Sequence, residues 1–157
     1  MCNEDVGIEA QNGGILDFIP DDYLGNSIGV SGTLAFFIVG GTFDIGIIWD
    51  GDDNWSPYIA LGSAYGFDAS VGVEYKQQMK TDKTRFEIGD YNGFGSSDNY
   101  GVSIVDFIYG GNIDPFKSPL FEYGATYEEA GGGISYGSPL GYTRQFTYTL
   151  VLSKLFK

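Results

Sequence analysis

The amino-acid sequence predicts an all-β protein, an antiparallel meander of eight or nine strands closed as a small barrel. The 25 glycines are spread among short apolar runs and show no three-residue period, which is typical of β-proteins with many tight turns. No run has the apolar period of a helix. The connections are short, so we expect sequential pairing, and closing the sheet removes its exposed edges. A two-sheet sandwich is the alternative.

A polar, turn-rich lead-in over residues 1–27 precedes the predicted barrel domain, residues 28–157. The first predicted strand, IGVSGTLAFFIV at 28–39, is apolar on both faces, as a well-buried strand is. The glycine pair at 40–41 then indicates a hairpin turn. The second strand, TFDIGIIW at 42–49, carries large apolar side chains at alternate positions and is expected to be half-buried.

Two further strands are predicted after an acidic loop, YIALGSAY at 58–65 and FDASVGVEY at 67–75. The second is the clearest in the chain, because apolar side chains alternate with polar ones or glycine along its whole length. The segment that follows, 76–85, is predicted as a solvated hairpin tip, since charge runs usually mark exposed turns. It contains four of the eight basic residues, namely Lys76, Lys80, Lys83 and Arg85.

Five more strands complete the predicted barrel. They are TRFEIGD at 84–90, YGVSIVDFIYG at 100–110, FEYGATYEE at 121–129, GGISYG at 132–137 and YTRQFTYTLVLSKLF at 142–156. Each is a short run bounded by turn residues. The last alternates strictly over 145–150, with aromatic and aliphatic side chains on one face and polar ones on the other. We expect the apolar faces of the strands to pack against one another inside the molecule.

Charge and residue content exclude several classes of function. Eight Lys and Arg against 21 Asp and Glu give a net charge of −13, whereas nucleic-acid binding depends on basic side chains that neutralise phosphates. The chain has no His, which excludes Ser-His-Asp and Cys-His nucleophiles and His-ligated metals. Ser135 therefore fits the G-x-S-x-G pattern by chance, because that motif needs a His partner. Cys2 is the only cysteine, so no intramolecular disulfide is possible.

The loop DGDDN offers a weak candidate for a hard-cation site through Asp50, Asp52 and Asp53, because carboxylates suit such ions. A calcium-binding EF-hand loop would need Gly at its sixth position and Glu at its twelfth. Trp55 and Leu61 occupy those positions. We therefore predict no EF-hand here, and no metal or other cofactor is assigned to the chain.

Carboxylates are the remaining acid–base groups. A glycosidase-type pair needs two carboxyl groups roughly 5–10 Å apart in a cleft. The candidates in predicted strands are Glu74, Glu87, Asp106, Glu122 and Glu128. The 12 Tyr and 12 Phe residues are an alternative source of a sugar- or lipid-binding cavity, although core packing is their ordinary role. No complete catalytic motif is present, so a non-catalytic function is expected, without assigned catalytic or ligand-binding residues.

Three segments resemble the Gly- and aromatic-rich β C-terminal modules that follow the Rhs/YD-repeat shell of bacterial, especially Bacteroidetes, polymorphic-toxin proteins. They are SSDNYGVSIVDFIYGG, FEYGATYEEAGGGISYGSPLGYTRQFTYTL and GFDASVGVEY. The resemblance covers about residues 28–157 and brings no catalytic motif. It implies a secreted or cell-surface bacterial protein that serves as an effector or tail module, binding a partner or acting on a membrane. A tail cut from a longer chain would also fit the lack of a signal-peptide pattern at the start of the sequence.

Two other functions stay open. The alternation at 67–75 and 145–156 fits a small outer-membrane β-barrel, whose strands of ~9–11 residues alternate lipid-facing apolar and lumen-facing polar side chains. The apolar residues on both faces of TLAFFIV, 33–39, count against it. The other possibility is a carboxylate-based glycan-active or glycan-binding protein. The expected partner is a membrane or another protein, and not a nucleic acid.

Overall fold

The computed structural model describes residues 20–116, 124–138 and 140–154, and within them the chain is almost entirely β-structure. The strands are β1 (Gly25–Phe37), β2 (Val39–Trp49), β3 (Trp55–Lys80), β4 (Gly93–Val102), β5 (Val105–Asn112), β6 (Tyr127–Gly137) and β7 (Leu140–Val151). Three 3-10 helices of three or four residues lie at Asp21–Tyr23, Ile88–Tyr91 and Leu152–Lys154. The predicted all-β class is confirmed.

The sheet closes on itself. Strands β3, β6, β5, β4 and β7 form a closed ring of antiparallel pairings, in which the two halves of β3 run in opposite directions and the hairpin of β1 and β2 completes the wall between them. Strands β1 and β2 pair with each other and also with β3, β2 along its first half and β1 along its second half. The prediction of an antiparallel barrel is therefore confirmed, and closure leaves the ring without a free edge.

Strand β3 organises the barrel because it has four partners. It runs for 26 residues and joins the two strands predicted at 58–65 and 67–75. Its first half pairs with β2 and β7, and its second half pairs with β1 and β6. Gly66, with φ at 128°, lies where β1 replaces β2 as the partner. A Cβ at Gly66 would lie 2.1 Å from the Tyr142 carbonyl oxygen, so glycine meets both a backbone and a packing requirement.

The predicted hairpin turn at Gly40–Gly41 is wrong. Phe36 pairs with Val39, so the turn between β1 and β2 consists of Phe37 and Ile38. Gly40 lies instead in β2, where a Cβ would approach the Leu34 carbonyl oxygen to 2.5 Å. The glycine there permits close contact between strands, which a search for turn residues cannot distinguish from a turn.

Two more predicted strands differ from the structure. The segment 84–90 is not a strand; it forms an extended loop that leads into the 3-10 helix at Ile88–Tyr91. The segment 100–110 is not one strand, because the two residues Ser103 and Ile104 form a turn between β4 and β5. In both segments a few apolar residues with high β propensity fit the sequence pattern of a strand, although the backbone is not paired with one partner strand over the whole segment.

Several predictions lie partly or wholly outside the described residues. They concern 1–19 of the lead-in, 121–123 of the predicted strand at 121–129, and 155–156 of the last strand. In the described parts, β7 lies close to the predicted position, whereas the strands predicted at 121–129 and 132–137 form a single strand, β6.

The basic segment 76–85 is not a solvated hairpin tip throughout. Lys76 lies within β3 and is only 6% exposed, with its side chain in the barrel interior. Lys80 is the last residue of β3, and the turn begins after it, at Thr81 and Asp82. The prediction fails for Lys76 because a buried ion pair compensates its charge, and a single charge run in the sequence does not reveal that partner.

The expectation that the apolar faces pack inside the molecule is wrong. Along β3 the odd-numbered side chains from Trp55 to Met79 face outward, and the even-numbered ones from Ser56 to Lys80 face inward. The other strands follow the same rule, with most large apolar side chains outside and mostly small or polar ones inside, apart from Ile48, Ile108, Tyr127 and Val151. Alternation identifies two faces but does not say which one lies inside the closed ring.

Candidate functional site: an apolar outer wall around a polar interior

A row of aliphatic side chains crosses most of the outer wall, each directly paired with the next. From β7 to β5, its members are Leu150, Ile59, Ile45, Val30, Val73, Ile134 and Val105. All except the half-buried Ile59 are at least 40% exposed. We call these seven residues the aliphatic row. Its continuity over six strands shows that the exposed apolar surface is a belt and not a local patch.

Aromatic side chains lie on both sides of the aliphatic row. Towards the end of the barrel where β1 begins, the rings of Trp49 and Tyr75 lie 6.3 Å apart. Towards the opposite end, Tyr100 and Tyr142 are paired with centroids 5.0 Å apart. Such flanking aromatic bands around an aliphatic middle are characteristic of walls that contact lipid.

The outer wall includes one charged pair far from the loops. Arg144 donates to both carboxylate oxygens of Asp98, from Nε at 2.9 Å and from Nη2 at 2.7 Å. The Tyr142 hydroxyl donates to the same carboxylate at 3.0 Å. The two residues lie opposite each other on β4 and β7, and only 9% of the Asp98 side chain is exposed. The bidentate contact therefore offsets both charges on a surface that is mostly apolar.

The interior contains a buried ionic cluster built from three strands. The Lys76 ammonium lies 2.5 Å from Asp44 Oδ2 and 4.0 Å from Glu74 Oε2. The Tyr58 hydroxyl donates to Asp44 at 2.9 Å, and the Ser31 hydroxyl donates to Glu74 at 2.5 Å. Charges are buried only where partners compensate them, so these five side chains fix each other's positions across the barrel.

A second polar network lies beside the ionic cluster, two residues away from Ser31 in β1 and from Asp44 in β2. Gln145 donates from Nε2 to the Thr33 hydroxyl at 2.9 Å, and the Thr42 hydroxyl donates to Gln145 Oε1 at 3.1 Å. All three residues are buried. They connect β1, β2 and β7, so side-chain hydrogen bonds, and not apolar packing alone, hold the walls together at this level.

An aromatic plug closes the interior near the start of β1. Tyr58, Phe86, Tyr91 and Tyr127 pack in successive ring contacts with centroids 5.1–5.8 Å apart. Burial, followed by the charge of Glu129, raises the pKa of the Tyr91 hydroxyl well above its ordinary value. The loop after β3 supplies Phe86 and Tyr91 to this plug, and Phe86 is fully buried.

The interior has little room for a ligand. Its enclosed cavity measures about 30 Å³ and is lined by Asp44, Glu74, Lys76 and Tyr91 among others. A water molecule needs roughly 10–15 Å³ measured in this way, so the cavity has room for about two waters and not for a sugar ring. Asp44 and Glu74 are a close buried carboxylate pair, but a polysaccharide cannot reach them in this conformation.

The acidic loop 50–54 is organised by its own hydrogen bonds. The Asp50 carboxylate is buried and accepts from the backbone N–H groups of Asp52 and Asn54 at 3.0 and 3.2 Å. Asp52 is paired with Arg85, which also donates to Asp22 at 2.9 Å. The side chain of Asp53 is placed in no such contact. Among the described residues, no group of three or more potential ligands is arranged to hold a metal ion.

Within the described part of the chain, the structure brings only two of the predicted acid–base residues near each other, Glu74 and Asp106, which face the interior from the two strands on either side of Gly133. Glu74 is in the interior cluster, and Asp106 also lies on the interior face, in β5. Glu87 is in the loop before the 3-10 helix and forms a capping box with Asp90. Glu128 is on the outer wall and accepts from the Tyr109 hydroxyl at 3.2 Å. Glu122 lies outside the described residues.

Ser135, the centre of the G-x-S-x-G match, lies in β6 and is buried on the interior face. It is in a strand and not at a strand-to-helix turn, which is the context that the nucleophile motif requires. The structure therefore gives no support to a nucleophilic role.

Sequence reasoning missed four members of the ionic cluster, Ser31, Asp44, Tyr58 and Lys76. Asp44 and Lys76 lie on the polar face of strands whose other face is apolar, and Lys76 follows Glu74 by two positions. Two opposite charges on the polar faces of neighbouring strands are a usable indication of an interior ion pair. The assumption that the polar face was solvated prevented that interpretation.

Comparison with protein-family models, curated proteins and solved structures gives no match for this chain. Among the described residues, no helix is long and apolar enough to cross a bilayer. The class of the protein therefore follows from its own geometry: an antiparallel β-barrel with an apolar outer wall and a closed polar interior.

Proposed function

We propose that the chain is a small membrane β-barrel of the outer-membrane type, with its outer wall against lipid acyl chains. The observation that carries this proposal is the placement of apolar side chains on the outside and charged or polar ones on the inside. In a barrel surrounded by water the opposite arrangement buries the apolar area and is favoured by the hydrophobic effect. A bilayer is the solvent in which the observed arrangement is stable.

Strand dimensions support the proposal. Strands β1, β2, β4, β6 and β7 have 10–13 residues, and a tilted membrane strand needs ~9–11. Closure of the ring satisfies the backbone hydrogen bonds without water, which the hydrocarbon region demands. A second protein molecule is a weaker candidate for the partner, because an aliphatic row spanning six strands exceeds the face that one flat interface covers.

The objection that TLAFFIV is apolar on both faces no longer applies. Phe37 and Ile38 form the hairpin turn, and after the turn Val39 faces outward like Phe36 before it. The segment therefore places no large apolar side chain in the lumen. Its two-sided apolar character results from the reversal of the chain.

The interior cluster and the aromatic plug support a closed barrel and not an open pore. With a cavity of about 30 Å³, the barrel would act as a membrane-embedded scaffold or anchor. The resemblance to Rhs-type tail modules stays a prediction, and a membrane-acting tail would use this same outer wall. An Rhs gene upstream or an immunity gene downstream of the coding sequence would support that context.

Purification with and without detergent tests the membrane barrel. We expect aggregation in detergent-free buffer, a monodisperse species in mild detergent micelles, and faster migration of the unboiled than of the boiled protein in SDS gels. A monodisperse, folded monomer in buffer alone would contradict the proposal.

A further inference from the structure

The two ends of the barrel differ sharply in charge. One end, which we call the charged end, includes the loops 50–54 and 81–92 and the segment before β1. Its exposed or half-exposed charged side chains are Asp21, Asp22, Asp52, Asp53, Asp82, Lys83, Arg85, Glu87 and Asp90. The opposite end consists of tight turns. Its most exposed side chains are apolar, and we call Phe36, Phe37, Ile38, Val39 and Ile104 the apolar tip.

Both hairpins at the apolar tip use unusual turn residues. The first central positions of these two-residue turns, Phe37 and Ser103, have positive φ of 58° and 62°. Gly, Asn or Asp normally occupies such positions. The second positions are Ile38 and Ile104, of which Ile38 is 79% exposed. Turns that face water are polar, so this chemistry indicates surroundings other than water.

The strained Phe37 is held by other aromatic rings. Its ring centroid lies 4.8 Å from that of Phe36 and 4.4 Å from that of Phe67, yet the side chain remains 58% exposed. A bulky residue with positive φ is costly and persists where the structure over-determines it, often for function. Next to it, an open apolar groove lined by Phe67, Val102 and Leu140 continues the apolar surface.

The outer wall is about as tall as the hydrocarbon core of a bilayer is thick only when the residues of the apolar tip are included in its height. From Trp49 to Ile38 there are 11 residue steps. At ~3.3 Å per step and a strand tilt of ~35–45°, they span roughly 26–30 Å along the barrel axis. The hydrocarbon core is about 30 Å thick. With the tryptophans at one interface, the tip therefore reaches to within about 0–4 Å of the far boundary of the hydrocarbon core.

The charges on the outer wall agree with this depth. Among the described strand residues, only Asp98, Glu128 and Arg144 are charged and face outward. Glu128 lies near the charged end, opposite Met79. Asp98 and Arg144 form the bidentate pair and compensate each other, as intramembrane ionisable residues do. Asp68 and Asp106, which lie nearer the tip, are on the interior face.

We infer that the apolar tip ends inside the hydrocarbon of the bilayer, and that the barrel enters from one side, tip first, with its charged end left in water. The inference rests on the proposed function and adds a direction and an end point. No charged loop has to cross the membrane during such an entry, because the exposed charged loops of the described chain are at the other end.

Cysteine accessibility tests the inference. In a Cys2→Ser background, Ile38→Cys and Asp53→Cys variants are added to preformed phosphatidylcholine–phosphatidylglycerol vesicles and exposed to a membrane-impermeant maleimide. We expect labelling at Asp53→Cys from outside and loss of labelling at Ile38→Cys, both from outside and with reagent enclosed in the vesicles. Detergent-solubilised, urea-unfolded protein should label at both positions.

Labelling of Ile38→Cys from either aqueous side would overturn the inference and leave the membrane barrel standing. Failure of the protein to float with the vesicles would remove the proposed function as well. A matched pair of variants adds a second test. Phe37→Asn suits the positive φ but removes the ring, and should incorporate less than the parent chain. Ser103→Asn places the same residue at the matching turn position without removing an apolar side chain, and it should incorporate as well as the parent chain. Equal incorporation of the two variants would also count against the inference.

Discussion

Replacing Ile45 with lysine separates a lipid-facing wall from a water-facing one, because the two surroundings predict different results. Ile45 is in the aliphatic row, is 51% exposed, and pairs with Val30 and Ile59. It lies four residues from Trp49 and six from Val39. At ~3.3 Å per residue and a tilt of ~35–45°, that is roughly 10–15 Å from either end of the wall, close to the bilayer midplane.

In lipid, a lysine at that depth costs about 2–4 kcal/mol of folding free energy, which is roughly a 30- to 1,000-fold change in the folding equilibrium. In water, a half-exposed surface substitution usually changes the free energy of unfolding by less than about 0.5 kcal/mol. The measurement is a guanidinium titration of the barrel in lipid vesicles, followed by the fluorescence of Trp49 and Trp55.

The matched controls are Asp53→Lys, in a loop at the charged end, and Ile45→Gln, which is polar at the same position but uncharged. We expect Asp53→Lys to leave the unfolding midpoint close to that of the parent chain, and Ile45→Gln to be intermediate. If Ile45→Lys unfolds at the same denaturant concentration as Asp53→Lys, the outer wall does not contact hydrocarbon at Ile45 and the reasoning is refuted.

Three further predictions concern the interior and the backbone. Asp44→Ala should lower the free energy of unfolding by about 3–5 kcal/mol, because it leaves the buried Lys76 without its nearest carboxylate; denaturant titration beside the parent chain measures this, and a loss below about 1 kcal/mol would contradict it. Phe86→Ala should cost about 3–5 kcal/mol through a cavity in the aromatic plug, and thermal unfolding that is unchanged would show that the plug does not contribute to stability. Gly66→Ala should be more destabilising than Gly93→Ala: both glycines have φ of 128°, but only at Gly66 does a Cβ meet backbone within 4 Å. Equal unfolding midpoints for these two variants would rule out the contact with β7 as the cause.

The sequence was sufficient for the class of the fold and for the two faces of each strand, and insufficient for their orientation. Alternation along 67–75 predicted that Val71 and Val73 share a face opposite Glu74, and they do. Whether that face lies inside or outside depends on the direction in which the sheet curls as it closes and on the surrounding solvent. A pattern with a period of two specifies neither.

The pairing of β1 with β2 was predictable from the short connection between them, whereas the β4–β5 hairpin and the four partners of β3 were not. The hairpin of β4 and β5 was hidden within 100–110, because Ser103 and Ile104 lack the usual turn residues. The partners of β3 in β6 and β7 are at least 47 positions away, the separation of Lys80 and Tyr127, and nothing local to β3 encodes them. The ion pair of Asp44 and Lys76 was missed for the same reason, since it depends on contacts between strands that are distant in sequence.

Side chains along β3 alternate between the inner and the outer face without interruption. The number of residues in β3 therefore determines which side chains face inward in both of its halves. From Trp55 to Lys80 every side chain keeps its phase, so an insertion or deletion of a single residue within β3 would turn one half of the strand inside out. Glu74, Lys76 and Gln78 would then point to the exterior, and Val71, Val73 and Tyr75 into the lumen. Length variation among natural or designed versions of this strand should therefore occur in steps of two residues.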